Sequence, residues 1–142
     1  MLLQELYTAI ATDFPVDNTD LGNESARTSD LFIKYIRLYS DENLRLSKLA
    51  NSRKNIVAEK RQYYSGNASP EVYKEKPFEQ RIKTENVLQK YIEEDADIIA
   101  YDENIIVQKQ KVEILQECLK EIRSRGYAIK AAIEYLKFIN GA

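Results

Sequence analysis

Apolar residues recur at alternating three- and four-residue steps along most of the chain, the spacing of one face of an α-helix. The longest run reads Phe32, Tyr35, Tyr39, Glu42, Leu46, Leu49, Arg53, Ile56, Lys60 and Tyr63, and it keeps its phase across "YSDEN" at 39–43. It predicts one long helix, with a break near Ser40 as the alternative, closed by Gly66 as a terminating glycine. A second run reads Val112, Leu115, Leu119, Ile122, Gly126, Ile129, Ile133 and Leu136. Carried backwards, its phase finds Ile105, Tyr101, Ile98, Tyr91 and Val87, interrupted by the polar Gln108 and Glu94. This predicts a second long helical region opening near Phe78 or Thr84, in which the β-prone "NIIV" at 104–107 is also helical.

A short first helix over 2–12 precedes both. "DFP" stops it, because Pro15 drives Phe14 into an extended conformation, and Asn18, Thr19 or Asp20 then caps the next helix. Between the long segments, "SGNASPEVYKEKPF" carries Pro70 and Pro77 and reads as a polar connector. The expected fold is all-α: two long amphipathic helical segments plus a short N-terminal helix, a hairpin-type protomer. The expected division is an N-terminal helical region over 1–66, a mobile linker over 67–80 and a C-terminal helical region over 81–142.

Composition narrows the chemistry. The 142 residues include no histidine, so there is no imidazole base, no Ser–His or Cys–His pair and no His-based metal site. The single cysteine, Cys118, falls in the apolar phase and reads as a small core residue. One cysteine forms no internal disulfide, and "MLLQELYTAI" lacks the basic start of a signal peptide, so a cytoplasmic protein is expected. No apolar run reaches the ~20 residues of a membrane span. "GNAS" lacks a phosphate-loop pattern. The acids Glu93, Glu94, Asp95 and Asp97 spread around a helix and read as a solvated face. No catalytic residue, metal site or cofactor site is read, and the chain is not expected to be an enzyme.

The net charge of −2 conceals segregation. Residues 1–30 hold one cation and six acids, whereas 44–61 hold Arg45, Lys48, Arg53, Lys54, Lys60 and Arg61 against Glu59 alone. Residues 81–118 swing acidic, with nine acids and five cations. A local basic patch, not net charge, decides polyanion binding. Arg53 and Lys60 occupy inward positions about 10 Å apart along the helix, and Lys54 and Arg61 lie on the adjoining flank. Buried in a seam, such cations either fix register by pairing or face something anionic, and periodicity leaves both readings open. Tyr63 continues the apolar line. Tyr64 follows Lys60 by four residues and Arg61 by three, on the cationic side, as a platform for a nucleic-acid base or as a half-buried rim residue. In the C-terminal run, Gly126 marks either close helix approach or a hinge, and the length of the apolar line suggests self-association.

"YYSG" at 63–66 after a basic helix, the opening "VDNTDL" at 16–21, and "IRSRGYAIKAAIEYLKFINGA" at 122–142 together resemble the UvsY recombination mediators of T-even-type phages. The resemblance implies a non-catalytic homo-oligomeric ring, hexameric or heptameric, in the cytoplasm of an infected bacterial host. Such a ring would bind single-stranded DNA and contact the phage single-strand-binding protein and a UvsX-like recombinase of the RecA type. A Lys-x-Arg pair carries DNA binding in that family. Its Arg position falls on Lys60 and its Lys position on Ala58, a departure that Arg61 could offset from the neighbouring face. On this reading Arg53, Lys54, Lys60, Arg61 and Tyr64 form one DNA-facing strip. Leu115, Leu119, Ile122, Gly126, Ile129, Ile133 and Leu136 map to the oligomerisation region. The competing reading is a helical adaptor whose basic segment meets an acidic protein surface, for which residues 81–118 are a candidate. A duplex-DNA regulator is disfavoured, since no compact helix-turn-helix is visible.

Overall fold

A computed structural model describes residues 1–141. Five helices follow in order: α1 (Leu3–Asp13), α2 (Leu21–Tyr64), α3 (Pro70–Glu75), α4 (Glu85–Glu93) and α5 (Ala96–Ile139). No strand occurs among the described residues. The long helix α2 passes Ser40 without a break, as the unbroken phase predicted.

Each helix end has a local cause. The Glu5 carboxylate accepts the Leu2 N–H at 2.8 Å, satisfying a donor that the first turn of α1 leaves open. Asp17 folds the link to α2 into an Asx turn by accepting both the Thr19 N–H (2.9 Å) and its hydroxyl (2.6 Å). Gly66 ends α2 at φ 83°. Its N–H donates to the Tyr63 carbonyl and that of Asn67 to the Gln62 carbonyl, the paired bonds of a Schellman cap.

The C-terminal helical region departs from the sequence expectation. It is two helices, and the chain breaks between α4 and α5 at Glu94–Asp95, one of the polar interruptions in the phase. The break lets the phase slip. In α4 the buried pair is Leu88 and Ile92, while Val87 is exposed. The connector expected over 67–80 also contains α3, with Pro70 at its first position, where a missing N–H costs nothing.

The chain forms two compact units, whose limits differ from the boundaries expected at 66 and 81. The first comprises Met1–Leu44 with the chain from Lys109 on; the second is Arg45–Gln108. In the first unit α1 covers the antiparallel pair of α2 and α5 over a core of Leu6, Leu31, Tyr35, Leu115, Cys118 and Ile122. Leu31, not the neighbouring Phe32, takes the inward position in α2. Tyr35 is fully buried, meets Phe14 edge-on at 5.1 Å and gives its hydroxyl to Asp13. Burial pushes the Cys118 thiol up to about 11, which suits a core residue. Arg125 is 4% exposed, pairs with Glu24 and donates to the Phe14 carbonyl at 3.0 Å.

The second unit packs α2 from Arg45 to Tyr64 against α4 and the start of α5. Its core is Ile82, Leu88, Ile92 and Ile98, joined by Ile56, Val57, Tyr64, Phe78 and Tyr91. No helix among the described residues is long and apolar enough to cross a membrane.

Candidate nucleic-acid interface

The end of α2 lies in the second unit, where its cations meet acids of the opposite helices. Seven residues separate Arg53 from Lys60, and seven separate Asp95 from Asp102, so two antiparallel helices bring the pairs into register. Arg53 Nε donates to Asp102 at 2.5 Å. Lys60 Nζ lies 2.7 Å from Asp97 and 3.3 Å from Asp95, with its side chain only 17% exposed. Arg61 reaches Glu85 at 2.6 Å on the open flank, and Lys54 is exposed with no carboxylate partner among the described residues.

Asp95 organises this junction: the acids Glu93, Glu94 and Asp97 are exposed, as a solvated face would be, and the reading is corrected at Asp95 alone. Its carboxylate is buried and caps α5 by accepting the Asp97 N–H (2.9 Å), while the Tyr64 hydroxyl donates to it at 2.5 Å. Burial alone would raise the Asp95 carboxyl. The Tyr64 hydroxyl, the Asp97 N–H and the Lys60 ammonium outweigh it and hold the group below its ordinary value of 3.8. Burial, then the Asp95 bond, raise the Tyr64 phenol well above its usual range. An Asp just before a helix start is a capping signal; that this one is also an ion-pair partner is set by contacts 31 and more residues away in the chain.

Tyr64 is half-buried among rings, at centroid distances of 5.0 Å from Tyr63, 5.2 Å from Phe78 and 5.4 Å from Tyr91. The structure therefore brings Lys60 and Tyr64 into the helix seam, sets Arg53 at its rim and leaves Lys54 and Arg61 facing outward. Tyr63, expected in the core, instead stacks on Tyr73 at 5.4 Å and lines an open groove beside α3. Sequence reasoning missed Tyr73, because no periodic phase runs through a six-residue helix.

The residues assigned to oligomerisation divide as well. Leu115, Ile122 and Ile129 are buried inside the first unit, Leu119 and Ile133 are half-buried, and Gly126 and Leu136 are exposed. The helix runs straight through Gly126, where a Cβ would meet nothing within 4 Å. Around it Tyr127 is 79% exposed, and Phe138 near the helix end is 81% exposed.

The all-α architecture has counterparts among solved structures. Two crystal structures of the bacteriophage T4 recombination mediator protein UvsY match it with TM-scores of 0.83 and 0.81, each at 21% identity. The first covers 100% of this chain and 99% of the other; the second covers 97% and 98%. The recombination protein UvsY of Enterobacteria phage T4 is 24% identical over 130 residues, 92% of this chain and 91% of that protein. Residues 9–142 match the family described as "Recombination, repair and ssDNA binding protein UvsY". The chain belongs to the UvsY family.

Proposed function

We propose that this protein is a non-catalytic recombination mediator that binds single-stranded DNA through the outer face of α2. It loosens the hold of the phage single-strand-binding protein on that DNA, and it loads and stabilises a UvsX-like filament of the RecA type. The observation that carries this reading is the cluster of Arg53, Lys54, Lys60 and Arg61 within nine residues of one helix, in a family described by single-stranded DNA binding.

The contacts with carboxylates fit a surface held ready for exchange. Arg61 and Glu85 are both well exposed, and such a pair is worth about 0.2–1 kcal/mol. A phosphate replaces Glu85 at little cost and releases condensed counterions from the strand. Arg53 and Asp102 are similarly accessible. Tyr64 and Asp95 position Lys60. One subunit with a few phosphate contacts binds weakly, and a homo-oligomeric ring, hexameric or heptameric, repeats the strip so that each engaged subunit raises the effective concentration of the next. The exposed Tyr127, Leu136, Phe138 and Ile139 supply apolar surface for that assembly.

The test is fluorescence anisotropy of a labelled single-stranded oligonucleotide at low and higher salt. Binding that prefers single strand to duplex and weakens steeply with salt is the expected result. Lys54→Ala with Arg61→Ala should lower affinity and leave assembly intact. The in-chain pairing of three cations favours a second reading, an adaptor in which α2 is a structural seam. Absence of binding at low salt would decide for it.

A further inference from the structure

A groove of about 390 Å³ opens between the last turn of α2 and α3, within the volume range of small-molecule sites. Glu59, Lys60, Gln62, Tyr63, Val72 and Lys76 line it. Its walls are fixed by hydrogen bonds. The Tyr73 hydroxyl donates to the Tyr63 carbonyl at 2.7 Å and accepts the Ala68 N–H at 3.3 Å. The Tyr63 hydroxyl donates to the Lys76 carbonyl at 3.0 Å, and the Tyr63 and Tyr73 rings stack within 17° of parallel. Gly66 permits the turn that brings α3 back: its φ of 83° suits glycine, and a Cβ there would stand 2.7 Å from the Arg81 side chain.

We infer that this groove holds an unstacked base of single-stranded DNA, with Tyr63 and Val72 against the base, the Gln62 amide at its edge and Lys76 on the adjoining phosphate. The inference rests on the DNA-binding reading above and goes beyond the basic strip. Three cations of that strip are engaged by carboxylates, whereas Lys76 has no carboxylate partner among the described residues. The groove continues from Lys60 and so extends the same surface. A base needs an apolar face with a few polar groups and a cation for its phosphate, and this groove combines them with little left to order on binding. Glu59 at its margin would disfavour a second phosphate and leaves room for a single nucleotide.

The chain contains no tryptophan, so Val72→Trp at an exposed position places a lone tryptophan in the groove, excited at wavelengths its tyrosines do not absorb. The probes are an oligothymidylate and a strand of equal length that is abasic at every position, with all phosphates kept. Anisotropy measures binding of each, and emission reports whether bases reach the groove. The expected result is binding of both strands, with the abasic one about tenfold weaker to the unaltered protein, and emission falling by half or more with the oligothymidylate alone. Lys76→Ala should lower the salt slope by about 0.7, the value of one single-strand phosphate contact. Unchanged emission at saturating oligothymidylate, or equal affinity for the two strands, would overturn the groove assignment and leave DNA binding standing. No binding of either strand at low salt would overturn the reading beneath it.

Discussion

Lys60 Nζ and Asp95 Oδ2 stand 3.3 Å apart where the last turns of α2 pass the residue that caps α5. The same carboxylate takes the Tyr64 hydroxyl, so one acid joins a helix cap, an aromatic cluster and the Lys60 ammonium. Fold stability and the presentation of the basic strip therefore meet at Asp95.

Removing that carboxylate should cost stability. Asp95→Ala loses a cap and leaves Tyr64 and Lys60 short of partners, for an expected loss of about 2–3 kcal/mol. Tyr64→Phe removes one hydrogen bond and should cost about 1 kcal/mol. Urea melts of the two variants and their combination would show a clearly sub-additive pair, because both remove the same contact. Additive losses would mean that the bond contributes nothing.

Acid should weaken the fold through two depressed carboxyls. At Asp13, burial raises the group, and the bonds from Lys34 and Tyr35 overcome it; Asp95 behaves likewise. A carboxyl held below its unfolded value of 3.8 gives stability that is fully present above that value. It is lost as pH falls through the lower, folded value, since the unfolded chain takes up the proton first. Melting temperature is expected to be flat in this contribution above about pH 5 and to drop below pH 4. Asp95→Asn should make the drop shallower, and an unchanged slope would refute the assignment.

If the strip binds DNA as proposed, the carboxylates opposite it compete with the strand. Asp102→Asn and Glu85→Gln should each tighten single-stranded DNA binding about twofold to fivefold, the worth of a surface ion pair. The logarithmic salt dependence should steepen by about 0.7 for each cation freed. Anisotropy titrations across salt concentrations measure both quantities. Weaker binding by the variants would show that the carboxylates orient the cations instead of masking them.

Two glycines should respond in opposite directions. Gly66→Ala forces a side chain into the left-handed region and should cost about 1–2 kcal/mol. Gly126→Ala lies in a helix interior with open space around it and should stabilise the isolated chain by up to about 1 kcal/mol. Thermal melts compare the two, and sedimentation measures assembly. If Gly126→Ala weakens assembly, a neighbouring copy approaches that backbone; if assembly is unchanged, Gly126 lies outside the interface.

Arg125 offers a final comparison. Arg125→Met keeps most of the buried volume that Arg125→Ala would leave empty, so the alanine variant should be less stable by about 2 kcal/mol or more. Equal midpoints in urea would mean that the aliphatic stem packs against nothing of consequence.

The sequence alone determined the helices that bury one continuous face. Three- and four-residue spacing placed α1 and α2, and Gly66 marked the end of α2, because caps and stops are local chemistry; before Pro15, Phe14 keeps a right-handed helical conformation (φ −84°, ψ −28°) and not the extended one expected. It also pointed to the family through "YYSG" and the C-terminal string. Only the tertiary structure decided what the polar residues in those faces do. Periodicity puts Arg53 and Lys60 inward without naming a partner, and the partners Asp102, Asp97 and Asp95 arrive from the far arm of the chain. The α4–α5 break stayed hidden because a slip of one position leaves an apolar residue available in either phase, Val87 or Leu88. The groove beside α3 was invisible for a related reason: it is built from the stacked Tyr63 and Tyr73 and a carbonyl cap, contacts that follow the turn at Gly66 and obey no repeat.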